Sequence, residues 1–185
     1  LLGESTTVSA ELEILASRMV LGRVVDKLKL DIEARPKTFP VIGGAMARRY
    51  TGDEPAAAWL GLASYAWGGE KIQVDTLQVP KALLDKPLTL IAGEQGAFEL
   101  FDEEDQLILK GKAGTRAEDK PFTAFVSLLQ ARPGSRFVLI KRSPEMAIRA
   151  MREQFAVRER GKKSGVLEAT FTGPDADKIV VVLDD

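Results

Sequence analysis

The sequence predicts an α+β fold in which a base of helices and one hairpin is interrupted by an antiparallel β block. Three observations predict it. Apolar residues recur at helical spacing near the amino end, a Ser-Pro-Glu start opens a later helix at Ser143, and short alternating segments separated by turn residues fill 70–142. With 185 residues, the chain suits one domain, or one domain carrying an insertion.

Ser9, followed by Glu11 and Glu13, makes a helix start, with a capping hydroxyl and acids in the positive first turn. Val8, Leu12, Leu15, Met19, Val24, Val25 and Leu28 then keep helical period, which predicts a helix over 9–29. Gly22 inside it predicts a kink or a break between two helices. Arg35-Pro-Lys-Thr-Phe-Pro40 cannot be helical, because each Pro restricts its own φ and the residue before it. A short helix follows around Gly44–Tyr50, and Thr51-Gly-Asp-Glu-Pro55 reads as loop.

The pattern changes near Gly68-Gly69. Ile72 and Val74 alternate, as do Leu77 and Val79, but the phase slips at Asp75-Thr76, which predicts a β-bulge. Leu88–Ala92, Phe98–Phe101 and Leu107–Lys110 are further strands. Thr123–Ala131 could be helix by period alone. The turn Arg132-Pro-Gly-Ser135 after it, with Pro and then Gly at the central positions, favours a strand paired with Arg136–Lys141.

At Ser143-Pro-Glu145 the hydroxyl caps a helix and Pro takes its first position, with Ala147, Ile148 and Met151 as the apolar face. Phe155–Arg160 and Val166–Thr172 flank Gly161-Lys-Lys-Ser-Gly165 as a hairpin. Gly173-Pro-Asp175 opens a last helix, although Ile179–Val182 has strand propensity. The division drawn from these patterns is 1–69 with 143–185 as the α/β base, and 70–142 as the β-rich insertion, all within one domain.

Composition removes whole classes of chemistry. There is no Cys and no His, so thiol nucleophiles, Ser-His-Asp triads, Cys/His zinc sites, haem on His and iron–sulfur clusters are impossible within this chain. A formal charge of −1 argues against nucleic-acid binding driven by phosphate neutralisation. Leu1–Ser9 lacks the basic and long apolar regions of a signal peptide. The longest weakly polar run, Ala56–Gly69, falls short of the ~20 residues a spanning helix needs. With no initiator Met and an apolar run barely begun at the end, the chain reads as a piece excised from a longer protein.

Motifs for catalysis are equally sparse. A phosphate loop needs a Gly five residues before Gly161-Lys-Lys-Ser, and position 156 is Ala. Gly93-Glu-Gln-Gly96 has no βαβ context and reads as a turn, and Asp102-Glu-Glu-Asp105 lacks calcium-loop spacing and reads as a hairpin tip. No pair of acids is singled out for glycoside hydrolysis. Lys141–Lys163 carries eight basic residues against three acidic ones, either a solvated face or a surface for an anionic polymer or lipid headgroups. Trp59, Tyr65 and Trp67 are expected to pack inward, with a contact surface as the alternative. No catalytic, cofactor-binding or metal-ligating residue is therefore assigned.

Four ordered blocks carry a resemblance. They are Glu13–Leu30 (EILASRMVLGRVVDKLKL) followed by Arg35–Gly43 (RPKTFPVIG), Ala131–Phe137 (ARPGSRF) with Ser143-Pro144, Gly161–Leu167 (GKKSGVL), and Thr172-Gly-Pro174. In this order they resemble the periplasmic region of the Wzc-type tyrosine autokinases, polysaccharide co-polymerases related to the Wzz chain-length regulators. The resemblance implies a Wzz-like α/β base with an inserted β-sandwich or jelly-roll-like part, and a non-catalytic periplasmic segment of an inner-membrane protein for exopolysaccharide or capsule synthesis and export. It implies flanking membrane helices and a cytoplasmic kinase using ATP and Mg, none of whose motifs lie here. The implied partners are further copies of the chain, with the polysaccharide polymerase and export machinery and the polysaccharide itself. Glu11 and Arg18, on the first helix, are the candidate charges of a side-to-side contact, which closes into a ring when the rotation allows. The fragment alone is expected to be capable of remaining monomeric. A different class, a stand-alone carbohydrate-binding β-sandwich, would need an exposed aromatic platform among Phe98, Phe101, Phe122, Phe125 and Phe137.

Overall fold

In the computed structural model, residues 18–159 and 167–171 are described, with side chains from Leu21 to Glu153. The chain divides into two compact units, one built from the described parts of 1–31 and 143–185, the other from Ile32–Arg142. Together they are α+β, as the periodicities predict. The sequence pattern drew its boundary at Gly69, whereas residues 32–69 group with the sheets because the strand Ile32–Pro36 pairs there.

The first unit holds α1 (Arg18–Leu28), an 11-residue helix. It runs unbroken through Gly22, contrary to the kink expected there, because the residues on either side, Leu21 and Val25, are held in one buried cluster with Ala147 and Met151. Leu21 and Val25 of α1 bury against Ala147 and Met151, the face that the spacing after Ser143 predicts. The helix stops without a glycine. Lys29 takes a left-handed φ of 54°, Leu30 N–H returns to Val25 O at 3.0 Å, and Leu30 packs beside the same cluster, a Schellman ending.

The second helix of this unit is capped as expected. Ser143 Oγ accepts the Met146 N–H at 3.4 Å, and Pro144 takes the first position, where its missing N–H leaves no gap. A hairpin follows, with Phe155–Glu159 antiparallel to Leu167–Phe171. The helix expected from Gly173, residues 9–17 of the first helix, and Glu11 lie outside the described residues. So does the Arg18 side chain, although Arg18 opens α1.

The second unit is a β-sandwich. We label its elements β1 (Ile32–Pro36), α2 (Gly43–Arg49), β2 (Lys71–Gln78), β3 (Pro87–Ala92), β4 (Ala97–Phe101), β5 (Leu107–Lys112), β6 (Arg116–Asp119), β7 (Phe122–Gln130) and β8 (Arg136–Lys141). One sheet runs β1-β8-β3-β4-β5 and the other β2-β7-β6, each antiparallel throughout. Alternate residues of both, among them Leu88, Leu90, Phe98, Phe137 and Leu139 from one and Leu77, Ala124 and Val126 from the other, share one buried core.

Phe122–Gln130 is a strand and the turn after it forms, with Gly134 at φ +86° and Ser135 N–H closing on Arg132 O at 3.0 Å. The expected hairpin with Arg136–Lys141 does not form: β7 pairs with β2 and β6 and β8 with β1 and β3, so this turn carries the chain from one sheet to the other. The β2–β7 ladder shifts register on either side of Val74 and passes over Asp75, where the slip in alternation predicts a bulge. Two edge strands were not expected. β1 contains Pro36, which an edge accepts because no ladder partner needs its N–H, and β6 is only four residues long. At the tip of the β4–β5 hairpin, Asp102 Oδ1 accepts N–H groups from Glu104 and Gln106, so the acidic run is a turn as expected.

Candidate functional site

The long connection from β1 to β2 is held by polar and aromatic contacts rather than by regular structure, and it gathers the chain's most unusual side chains. Trp67, 3% exposed, is its post. Phe39 stacks on it at 5.8 Å between ring centroids, and Trp59 meets it edge-on at 5.7 Å. Tyr65 is edge-on to Phe39 at 5.2 Å. The Trp67 Nε1–H donates to Leu62 O at 3.1 Å, so the indole is buried with its polar group satisfied.

Below this cluster lies a buried carboxylate. Glu70, its side chain 1% exposed, accepts the Trp67 N–H at 3.2 Å on Oε1 and the Gly68 N–H at 2.7 Å on Oε2. Arg132, from the β7–β8 turn, donates Nη2–H to Glu70 Oε1 at 3.1 Å and to Tyr65 O at 3.1 Å. A buried charge must be paired and hydrogen-bonded, and the Glu70 carboxylate meets both conditions, whereas Arg132 Nε is buried without a hydrogen-bond partner. Tyr50 closes the outside. Its ring occupies the space a Cβ at Gly68 would need, and its hydroxyl donates to Glu54 O at 2.8 Å. Gly68 and Gly69 have φ of +134° and +78°, so glycine serves both conformation and clearance at this turn.

Backbone bonds complete the joint. Lys37 N–H reaches Arg136 O at 2.8 Å, and Ala66 N–H reaches Lys37 O at 2.8 Å. The Arg35–Gly43 and Ala131–Phe137 blocks, distant in sequence, thus meet at Trp67 and Glu70. Gly43 is required where it stands, because a Cβ there would come within 2.9 Å of Phe39 Cβ at the start of α2.

The arrangement is built to hold a shape. Both Glu70 oxygens and Arg132 Nη2 are engaged within the protein. A cleft of about 280 Å³ lies between the Gly93–Gly96 and Arg132–Ser135 turns. Its lining offers the amides of Gln95 and Gln130 and no charged side chain. Among the described residues no group of three or more acids is placed to hold a metal ion. No described helix is long and apolar enough to cross a membrane.

Of the aromatic trio flagged in the sequence, only Trp67 packs fully inward. Tyr65 is half-buried and Trp59 is exposed. The Phe98 and Phe137 rings are in the core and Phe101, Phe122 and Phe125 are half-buried, so residues 70–142 present no aromatic platform. Of the basic run, Arg142 pairs with Glu33 at 2.8 Å and Arg149 with Glu153 at 3.2 Å, while its stretch beyond Glu159 lies outside the described residues. Sequence reasoning missed the Glu70–Arg132 pair. The one available signal was an acid directly after Gly68-Gly69 at the mouth of a strand.

Residues 32–142 match the family described as "Tyrosine-protein kinase Wzc, N-terminal domain". The chain belongs to that family. The match has the bounds of the sandwich unit, Ile32–Arg142. Among similar proteins, EpsB of Ralstonia solanacearum is 36% identical over 173 residues, which is 91% of this chain and 23% of EpsB. The tyrosine-protein kinase Etk of Escherichia coli K12 is 34% identical over 174 residues, 94% of this chain and 22% of Etk. The tyrosine-protein kinase Wzc of Salmonella typhimurium LT2 is 30% identical over 174 residues, again 94% and 22%. The chain therefore spans less than a quarter of the length of these relatives.

Proposed function

We propose that this chain is the periplasmic, non-catalytic segment of an inner-membrane tyrosine autokinase that controls the length and export of an exopolysaccharide or capsule. The observation that carries this reading is the family match over the whole sandwich unit, joined to relatives more than four times the length of the chain. ATP and Mg belong, in this reading, to a kinase part elsewhere in the parent, and the segment itself uses no cofactor. Helices α1 and Pro144–Gln154 with their hairpin are the Wzz-like base, and the sandwich is the jelly-roll-like insertion. The whole of 1–185 then forms one periplasmic domain.

The mechanism is geometric. Copies of the parent pack side by side around the polymer path, and the assembly couples polymerisation or export to the phosphorylation state across the membrane. A contact along the first helix, with Glu11 and Arg18 facing a neighbour, is part of the proposal. So is association with the polymerase and export machinery, and with the polymer itself. Rigid joints such as Glu70–Arg132 suit a part that transmits position instead of turning over a substrate.

The test uses the full-length parent. Glu11→Lys and Arg18→Glu should each lower the oligomer fraction in mild detergent and change the length distribution of the polymer, and the two together should restore part of both. A parent that remains monomeric in detergent, or one whose polymer is unchanged when residues 32–142 are deleted, overturns the reading.

A further inference from the structure

The Glu70–Arg132 joint does not account for the cleft of about 280 Å³ between the Gly93–Gly96 and Arg132–Ser135 turns. Ala92, Leu129, Ala131 and Pro133 give it an aliphatic lining, and Gln95 and Gln130 supply two primary amides. Ala92 is buried while Gln95 and Pro133 are exposed, so the cleft runs from a closed end to an open mouth.

Its walls are fixed before anything binds. Ala92 N–H donates to Ser135 O at 2.9 Å and Gly134 N–H to Ala92 O at 2.7 Å, which ties the two turns together. Gly93 N–H closes on Ala97 O at 2.7 Å, and Ala113 N–H donates to Gly96 O at 2.8 Å. Gln130 Nε2–H donates to Asp53 O, so that side chain is anchored and its Oε1 remains an acceptor. A preformed hollow with a few polar groups on an apolar lining is the usual build of a small-molecule site.

Gln95 is the residue that local structure leaves unexplained. Its φ of 51° is a left-handed conformation that glycine adopts freely and other residues seldom do. Its side-chain amide has no hydrogen-bond partner among the described residues. Backbone strain of this kind concentrates at ligand-binding positions.

We propose that this cleft binds one uncharged sugar residue of a polymer, with Gln95 and Gln130 bonding its hydroxyls and its C–H face on the aliphatic lining. Charge and size select this class. No charged side chain lines the cleft, so a phosphate or carboxylate finds no cation there. The volume falls just below the ~300 Å³ at which drug-sized pockets begin, which suits a single ring. The choice of a sugar over another small neutral ligand rests on the reading of the parent as an exopolysaccharide protein. With no aromatic ring in the lining, one site binds with a Kd on the order of millimolar. Side-by-side copies along one polymer raise that by multivalency.

NMR titration of the isotope-labelled 185-residue chain tests this, with the methyl glycosides of glucose, galactose, mannose and N-acetylglucosamine as probes. At least one should saturably shift the side-chain amide signals of Gln95 and Gln130 and the N–H signals of Gly93 and Gly96. Gln95→Gly should weaken that binding by about threefold to tenfold, the worth of one net hydrogen bond. It should also raise the urea midpoint, because glycine relieves the left-handed φ. Weaker binding with a lower midpoint would make Gln95 a structural residue and overturn its role. Absence of saturable shifts with every glycoside, shifts confined to another part of the sandwich, or binding that Gln95→Gly leaves unchanged overturns the proposal. So does N-methylacetamide shifting the same signals with equal affinity, because the cleft then takes any small amide. None of these outcomes alters the oligomer or polymer-length readouts of the parent, so the proposal and the reading it rests on fail separately.

Discussion

Arg132 Nη2 stands 3.1 Å from Glu70 Oε1 and so ties the turn between β7 and β8 to the residue that enters β2. The carboxylate also collects two backbone N–H groups, from Trp67 and Gly68, and the guanidinium spans to Tyr65 O. One pair thus organises a connection that has little regular structure of its own. Removing one partner leaves the other charge buried and uncompensated, which is where the cost lies. Glu70→Ala or Arg132→Ala should each destabilise the chain by about 2–4 kcal/mol, below the deepest cases because Arg132 is a fifth exposed. Urea denaturation measures this. The double variant should cost clearly less than the two singles together, and strict additivity would show that the pair does not act as a unit.

Gly22 offers the opposite sign. It lies inside α1, where glycine costs helix stability through its extra backbone freedom. A Cβ there would sit 3.5 Å from Ile148 Cδ1, an ordinary van der Waals contact. Gly22→Ala should therefore stabilise the chain by about 0.5–1 kcal/mol, read as a higher urea midpoint with an unchanged slope. A loss of stability would mean that the two helices need closer approach than this geometry shows.

The pattern of successes in reading the sequence follows the range of the forces involved. Local chemistry was legible: the Ser143 cap, the Pro133-Gly134 turn, the slip at Asp75 and the Asp102 hairpin tip each depend on a few adjacent residues. Edge strands were not. The sequence reading of Arg35–Pro40 goes no further than excluding a helix, because Pro36 is compatible with a strand only when the sheet ends there, and that is a tertiary fact. Gly22 was misread as a kink because what holds the helix straight through it, the packing of Leu21 and Val25 with Ala147 and Met151, lies more than a hundred residues away. The Arg35–Gly43 and Ala131–Phe137 blocks drew attention to the right stretches through resemblance. Nothing in periodicity joins them, since the Glu70–Arg132 pair closes a separation of 62 residues.

Gly111 on β5 reports on how tightly the two sheets meet. A Cβ there would run into the ring of Phe98 and come within 2.8 Å of Ala117 Cβ on β6. Phe98 is 2% exposed and has no free side to turn toward. Overpacking a filled core costs about 1–3 kcal/mol, so Gly111→Ala should lower stability by that amount. Calorimetric unfolding would show it as a fall in Tm. An unchanged Tm would mean that the sheets separate at this edge more readily than their shared core implies.

Val41 carries a backbone cost that its side chain does not offset by burial. Its φ of 68° costs an L residue about 1–2 kcal/mol, and its side chain, 98% exposed, recovers almost nothing by burial. Glycine adopts this conformation freely but adds backbone entropy to the unfolded chain, a penalty of about 0.5–1 kcal/mol. The difference favours the substitution, so Val41→Gly should stabilise the chain by about 0.5–1 kcal/mol in urea. A loss of stability would mean that what the Val41 side chain contributes outweighs the strain of its backbone, despite its exposure.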